Sequence, residues 1–455
     1  MMSRFRLVLQ GLIIGCLTYL LQGNVAYAQD NDLFPPIPDD ISIIMVQWNP
    51  VTGEPTAIRC AIDSVAFGCT ADPSRPYPPT NPVTVTIENR YLLDVVSKET
   101  NPDEFGPATL RAQAAAARSF GYWHLNNNEA ISNGSQAFIP FSFENGGAPD
   151  NPDNLCASTN LDIGQRKVCT AVAAREYMVY LNETAPIFAA YNADIVDPTQ
   201  IFEEVREEYG RDRYLIGVAE PISPNGGCGV GREGNQFGMS QQGASRWERG
   251  NICFTGNPRD PWSVQWSRAE QILTHYYTRI HIRSIDNNEV KTPPLRWNPL
   301  DIRWDNTPNG EPPVVIRGET YQVRVNVQNN GTRTWFCEEG ITYTLQSTFS
   351  LPPRIQIQQA GETPVCDLAP GENRLVTLNL TALPNLAQAT YRLNYDVVRT
   401  NSDGTTSFFS DAAQNPPGGW ATYQHNVCVE CNRVAYLPII QVTRQAVNST
   451  TAGEE

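Results

Sequence analysis

Between Pro107 and Gly121 the chain runs without an internal proline or glycine, and alanine recurs at positions 108, 112, 114, 115, 116 and 117. Proline suits a first helical turn, and alanine has the highest helix propensity of any residue. The spacing predicts a helix with Leu110, Ala114, Ala117 and Gly121 on one face. Side chains this small let a neighbouring element lie very close. Arg111 and Arg118 stand seven residues apart and therefore share a face of their own. A half-buried strand is expected just before, where Val83, Val85 and Ile87 alternate with polar residues.

A second helix is expected from Cys169 to Met178. A third is expected from Ser267, with Glu270 completing a capping box and with Ala269, Ile272, Leu273, Tyr276 and Ile280 on its apolar face. The long polar stretch from Ala130 to Asp162 reads as a surface excursion. After about residue 285 the helical patterns stop. Alternating sets follow at Tyr321, Val323, Val325 and Val327, at Val376, Leu378 and Leu380, and at Tyr391, Leu393, Tyr395 and Val397. Turn signals at Asn329-Asn330-Gly331 and Pro370-Gly371 separate them, which predicts an antiparallel β-sandwich.

Export is expected from the first residues. Arg4 and Arg6 precede an apolar stretch, Leu7 to Leu21, and Ala26-Tyr27-Ala28 offers a cleavage site. A lipoprotein signal ending at Cys16 ranks second. No later segment is apolar enough to span a bilayer, so a secreted, extracellular or wall-associated protein is expected. The 11 cysteines agree with an oxidising compartment. Ten of them fall as near neighbours that proximity pairs: Cys60 with Cys69, Cys156 with Cys169, Cys228 with Cys253, Cys337 with Cys366 and Cys428 with Cys431. The last of these also reads as half of a metal site. The net charge is −15 and no basic block appears, so nucleic acid is not an expected partner.

Two stretches carry chemistry. The first is Tyr91-Leu-Leu-Asp-Val-Val-Ser-Lys-Glu99, followed by Leu110-Arg-Ala-Gln-Ala-Ala-Ala-Ala-Arg118-Ser-Phe. The second is Gly234-Asn-Gln-Phe-Gly-Met-Ser-Gln-Gln-Gly-Ala244. Glu99 follows the apolar pair Val95-Val96, and Thr100-Asn101-Pro102 breaks the element behind it. A carboxyl at the end of a buried segment is in the setting that a proton donor needs. Gly238 and Gly243 permit tight turns and close approach. The plain alternatives stand beside these readings. Glu99 can be a solvated turn residue paired with Lys98, the arginines can pair with neighbouring acids, and Gln113 can simply pack the helix. His124 reads as a helix-end residue, and Trp123, Trp247, Trp262 and Trp266 read as core.

In this order and at this separation the two stretches resemble the stage II sporulation protein D family, which includes amidase-enhancer proteins. That family acts on peptidoglycan, and its best-understood members are lytic transglycosylases. The resemblance covers roughly residues 83 to 282. It implies Glu99 as the catalytic acid and base. It implies Arg111 and Arg118 as ligands for the lactyl carboxylate of peptide-stripped muramic acid. Ser240, Gln241 and Asn235 would line the substrate cleft. The chain departs from the family pattern Gly-His-Gly-x-Gly-Met-Ser-Gln, because Asn235 replaces the histidine and Gln236 the glycine. The segment Phe188-Ala-Ala-Tyr191-Asn192-Ala-Asp194 lacks the histidine of a further family motif. Some relatives bind a metal there. The four histidines here, at 124, 275, 281 and 425, fall outside both motifs, so no metal and no cofactor is expected. A weaker likeness, Asn-Asn-Gly followed by Trp335, is to immunoglobulin-like accessory modules of bacterial surface proteins.

The expected class is an α+β domain of catalytic type followed by an all-β immunoglobulin-like sandwich. Its parts are a signal peptide (1–28), a proline-rich lead-in with a disulfide hairpin (29–82), the family-like domain (83–282), a linker (283–300), the sandwich (301–432) and a tail (433–455). The expected function is cleavage of peptidoglycan glycan strands. The alternatives are a non-catalytic wall binder that enhances a cell-wall amidase, and a structural surface protein.

Overall fold

The computed structural model describes residues 37–48, 55–57, 82–133, 135–146, 149–181, 183–194, 214–215, 218, 220, 222, 237–251, 253, 265–287, 289–305, 307, 313–351, 355–411 and 423–431. The expectations for the signal peptide, the Cys60–Cys69 hairpin, the linker at 72–79, Cys228, Asn235 and the tail lie outside these residues.

The N-terminal part mixes helices and strands. It contains β1 (Asp40–Ile44), β2 (Val46–Trp48), β3 (Pro55–Ala57) and β4 (Val83–Thr86), then a wide helical turn over Ile87–Tyr91 that runs into α1 (Leu92–Glu99). α2 (Pro107–Asn126), β5 (Ile131–Ser132), α3 (Ile163–Val172), β6 (Glu176–Tyr180) and β7 (Tyr191–Asn192) follow. β8 (Met239–Ser240), α4 (Gln241–Arg249), α5 (Ala269–Tyr276) and β9 (Ile280–Ser284) complete it. β1 pairs antiparallel with β4 and parallel with β5, so the short apolar piece at residues 41–44 is the central strand of that sheet.

α2 divides two apolar cores. Leu110, Ala114, Ala117 and Phe120 face the first, with Leu92, Leu93, Val95 and Val96 of α1. Ala108, Ala112, Ala115 and Ala116 face the second, with Trp247 of α4 and Ile272 and Leu273 of α5. The expected close approach is present at Gly121, where a Cβ would lie 3.2 Å from the Tyr91 ring. The start of α2 is held by Glu248 of α4, whose carboxylate accepts from the backbone N–H groups of Ala108 and Thr109 at 2.9 and 2.8 Å. An acid at a helix N-terminus contributes about 1 kcal/mol.

Three local expectations need correction. The Cys169–Met178 helix ends at Val172. Arg175 turns left-handed at φ 48°, and 176–180 is a strand paired with β9. The residues explain this: Tyr177 and Val179 point into the first core and Met178 into the second, a period of two. The third helix starts at Ala269, and Gln271, not Glu270, accepts from the Arg268 backbone N–H at 3.2 Å. Glu270 is drawn instead to Arg111, and Ile280 lies in β9. The stretch 130–162 is not merely a surface excursion. Phe138, Phe143, Leu155 and Leu161 bury in the first core, spaced too irregularly to show a period.

The C-terminal part is all strand among its described elements. β10 (Trp297–Trp304), β11 (Thr320–Asn329) and β14 (Asn373–Thr381) form one antiparallel sheet. β12 (Thr342–Leu351), β13 (Ile355–Pro364), β15 (Ala389–Thr400), β16 (Thr406–Phe408) and β17 (Tyr423–Val429) form another. Val323, Val325 and Val327 from the first sheet and Leu393, Tyr395 and Val397 from the second share one core, as their alternation predicts. The chain is thus mixed α and β.

Disulfides join Cys156 to Cys169, Cys337 to Cys366 and Cys428 to Cys431. Cys253 is also disulfide-bonded.

Both turns marked by sequence dock the strands onto the N-terminal part. Asn330 Oδ1 accepts from the Arg279 backbone N–H at 2.8 Å, and the Gly371 carbonyl accepts from Arg279 Nε at 2.6 Å.

Candidate functional site

The site forms where α1 ends and α4 begins. Four buried apolar residues fix α1, and Thr100 stops it by bonding back to the Val96 carbonyl through both its backbone N–H and its hydroxyl. Glu99, the last helical residue, is left half-buried on the edge of a cleft of about 630 Å³. Its Oε1 accepts from the Ala137 N–H at 2.6 Å, and its Oε2 accepts from Gln241 Nε2 at 3.0 Å.

Gln241 is held as firmly. It opens α4, whose N-cap is Ser240. The Ser240 hydroxyl is fully buried and accepts from the Gly243 N–H at 2.8 Å. β7 and β8 pair in parallel, Tyr191 opposite Met239 and Asn192 opposite Ser240, so the segment 188–194 and the glycine motif meet. Gly238 allows the contact. It has φ +78°, and a Cβ there would lie 2.1 Å from the Ala190 carbonyl oxygen. The Tyr277 hydroxyl donates to that same oxygen at 2.6 Å.

Phe120, His124 and Phe188, whose rings pack on one another, line the cleft together with Phe237. The amide side chains of Asn133, Gln136 and Asn192 lie along it as well. The Tyr91 hydroxyl bonds to Gln136 Oε1, and the Tyr191 hydroxyl lies against Gln113. Burial holds both phenols well above the usual tyrosine range, and the nearby Glu99 charge pushes them the same way. Both therefore keep their protons across the physiological range, and the Tyr91 hydroxyl donates to Gln136. Among the described residues Glu99 is the one carboxylate on the cleft wall.

The sequence candidates separate clearly. Glu99 and Gln241 come together. Ser240 caps a helix inside the protein and Asn235 lies outside the described residues. Arg118 is buried and forks onto Glu88, with Nε to Oε1 at 2.8 Å and Nη2 to Oε2 at 2.7 Å. It also donates to the Glu176 and Val172 carbonyls at 2.7 and 2.8 Å. Arg111 forks onto Glu176 and reaches Glu270 at 2.9 Å. Neither guanidinium lines the cleft. Gln113 is buried in α2.

Sequence reading passed over Tyr91, His124, Gln136, Tyr191 and Asn192 as site residues. One signal was present for His124, which follows Phe120 by four residues and so shares its helix face; the two rings lie 4.6 Å apart. Among the described residues no group of three or more His, Cys, Asp or Glu is arranged to hold a metal ion. None of the described helices is long and apolar enough to cross a membrane.

No protein-family description and no curated protein matches this chain. Solved structures give faint likenesses. A β-glucosidase from Listeria innocua in complex with glucose is 13% identical over 31% of this chain and 16% of its own, with a TM-score of 0.18. The sporulation control protein Spo0M from Bacillus subtilis is 12% identical over 29% of this chain and 49% of its own, with a TM-score of 0.17. A FixG-related protein from Vibrio parahaemolyticus is 12% identical over 30% of this chain and 98% of its own, with a TM-score of 0.15. The match thus spans about a sixth of the first and half of the second, and scores this low carry no argument about fold or function.

Proposed function

We propose that this protein is an exported enzyme that cleaves the glycan strands of peptidoglycan in the manner of a lytic transglycosylase. On this reading it is a relative of the stage II sporulation protein D family, with an immunoglobulin-like sandwich at its C-terminal end. The observation that carries the reading is the Glu99–Gln241 contact in a cleft walled by aromatic rings and amides. Sugars stack their C–H faces on aromatic rings and exchange hydrogen bonds with amides, and the cleft offers both.

The chemistry needs one carboxyl group that changes roles. Protonated Glu99 gives its proton to the glycosidic oxygen as the bond from that oxygen to the anomeric carbon breaks. The 6-hydroxyl of the same muramic acid then attacks the anomeric carbon, and its proton passes to the Glu99 carboxylate. Proton and bonds balance, no water is consumed and the product carries a 1,6-anhydro ring. A glycosidase that hydrolyses usually needs a second carboxylate; this mechanism does not.

Gln241 suits a partner that alternates between acid and base. Its amide donates to the carboxylate through Nε2 and, after a half-turn about the last side-chain torsion, accepts from the carboxylic acid through Oε1. A lysine or arginine there would favour the anion alone.

The test is digestion of purified peptidoglycan, with and without its peptides, followed by mass analysis of the fragments. Anhydro ends from the wild type, and none from Glu99→Gln, support the enzyme. Binding without cleavage by both proteins replaces it with a wall-binding protein of the amidase-enhancing kind.

A further inference from the structure

Glu99 is held by α4, and α4 is held from behind. A Cβ on Gly243, in its first turn, would lie 2.3 Å from the Tyr276 hydroxyl and 2.7 Å from Glu220 Oε1. The start of the helix therefore rests on the Glu220 carboxylate. Glu220 is fully buried and accepts from the Tyr276 hydroxyl at 2.7 Å and from Trp247 Nε1 at 3.3 Å. Its Oε2 also bonds to Nε2 of buried His275. The other ring nitrogen, Nδ1, meets the hydroxyl of Tyr423. The Arg296 guanidinium lies close to Tyr423. Tyr423 opens β17 and Arg296 directly precedes β10, so both belong to the C-terminal strands.

The chain of bonds has a direction. A carboxylate only accepts, so the ring proton sits on Nε2, aimed at Glu220. Nδ1 is then the acceptor, and the Tyr423 O–H donates to it. Burial holds His275 below the usual histidine range, although Glu220 opposes this, and so keeps the ring neutral. Trp247, Trp266 and Trp297 pack their rings against Tyr423 and shut water out. In such a place each hydrogen bond is stronger and an unpaired group more costly than in water. On its other flank α4 is tied by Arg246 to Asp194, two residues beyond β7, at 2.7 and 3.1 Å.

We propose that Tyr423 is a positioning residue for the Glu99 site. Through His275 and Glu220 it sets the start of α4, and with it the Gln241 amide on Glu99. The C-terminal strands are thereby a component of the site, not a separable module. The inference rests on the glycan-cleaving reading for its kinetic readout only.

The test uses the full chain, labelled with 15N, as wild type, Tyr423→Phe and Gln241→Ala, the last to assign the Gln241 side-chain amide. In folded Tyr423→Phe the Gln241 amide signals are expected to move toward those of an unbonded amide. On peptidoglycan, kcat is expected to fall roughly tenfold with KM within about twofold, the pattern of a lost transition-state contact. Unmoved Gln241 signals with unchanged kcat overturn the proposal. Should Tyr423→Phe fail to fold, 3-fluorotyrosine at position 423 keeps the shape and strengthens the donor. A shifted Gln241 signal then supports the proposal and an unshifted one overturns it. Wild type that cleaves nothing sinks the enzymatic reading alone, because the Gln241 signal still decides the role of Tyr423.

Discussion

Gln241 donates its side-chain amide to the carboxylate of Glu99, Nε2 to Oε2 at 3.0 Å, across 142 residues of sequence. One residue closes α1 and the other opens α4. α1 is anchored in the first core by Leu92, Leu93, Val95 and Val96, and α4 in the second by Ala244 and Trp247. α2 lies between the cores and presents mostly alanine toward the second. The thinness of that helix lets the two ends meet.

Removing the Gln241 amide leaves the Glu99 carboxylate held by the Ala137 N–H. In Gln241→Ala, kcat on glycan strands is expected to fall roughly 100-fold, the lower end for losing one donor at a reacting centre. Gln241→Glu should be worse. It sets a second carboxylate against Glu99, and two such groups cannot both ionise freely. Steady-state kinetics across pH measure both variants. Equal kcat in all three proteins removes Gln241 from the site.

Arg118 is a strut in this structure. Its side chain is 0% exposed and its partner Glu88 is 28% exposed. Arg118→Met removes the guanidinium donors from the Glu176 and Val172 carbonyls, of which Val172 keeps the Arg175 N–H at 3.1 Å, and leaves Glu88 without its counter-charge. Breaking a buried pair costs about 3–5 kcal/mol, and the partial exposure of Glu88 points to the lower end. Arg118→Lys keeps the charge and loses the fork, so it should recover only part. Denaturant unfolding measures the cost. If Arg118→Met is as stable as wild type and shows a raised KM, the side chain is a substrate ligand instead.

What the sequence disclosed, and what it hid, follows from range. The α2 helix was legible because alanine spacing and Pro107 are local signals. The strands at Val323–Val327 and Leu393–Val397 were legible because alternation is local too. Glu99 could be singled out by its place after Val95-Val96, before Thr100 and Pro102. The β6 strand was misread because Tyr177, Met178 and Val179 are buried on both sides, and a strand with no polar face shows no alternation. The wall of the cleft was hidden for another reason. Tyr91, Gln136 and Asn192 belong to three distant segments, and only tertiary pairing gathers them. The same applies to Arg118, whose fork could have served a ligand or Glu88 equally well until the fold placed Glu88 beside it.

Two glycines separate backbone strain from crowding. Gly318 has φ +83° with nothing within 4 Å of a would-be Cβ, whereas Gly238 has φ +78° and the Ala190 carbonyl at 2.1 Å. Gly318→Ala should therefore cost about 1 kcal/mol, the strain of a left-handed residue alone. Gly238→Ala adds a collision with backbone that Met239 and Tyr277 both hold in place. A loss of at least about 3 kcal/mol is expected, in the range reserved for strain plus overpacking. Equilibrium unfolding of the two variants decides. Equal losses show that the β7–β8 pairing can shift to admit a methyl group.

Asp94 gives the site a pH-sensitive neighbour. It lies in α1 and accepts from the N–H groups of Phe141 and Phe143 at 3.2 and 3.0 Å, holding the loop that also carries Ala137. Arg90 stands 3.7 Å away. Burial outweighs these and pushes the carboxyl up from 3.8 to about 7. Between those values the folded protein keeps a proton that the unfolded chain has released, so stability falls as pH rises. The contribution is complete below about 3.8 and gone above about 7. At 1.36 kcal/mol per unit it amounts to about 4 kcal/mol at most. The side-chain carboxyl carbon of Asp94, followed by NMR, should titrate near neutrality. A midpoint close to 4 shows that Arg90 and the two amides prevail over burial, and that Asp94 is an ordinary anion holding the loop at every physiological pH.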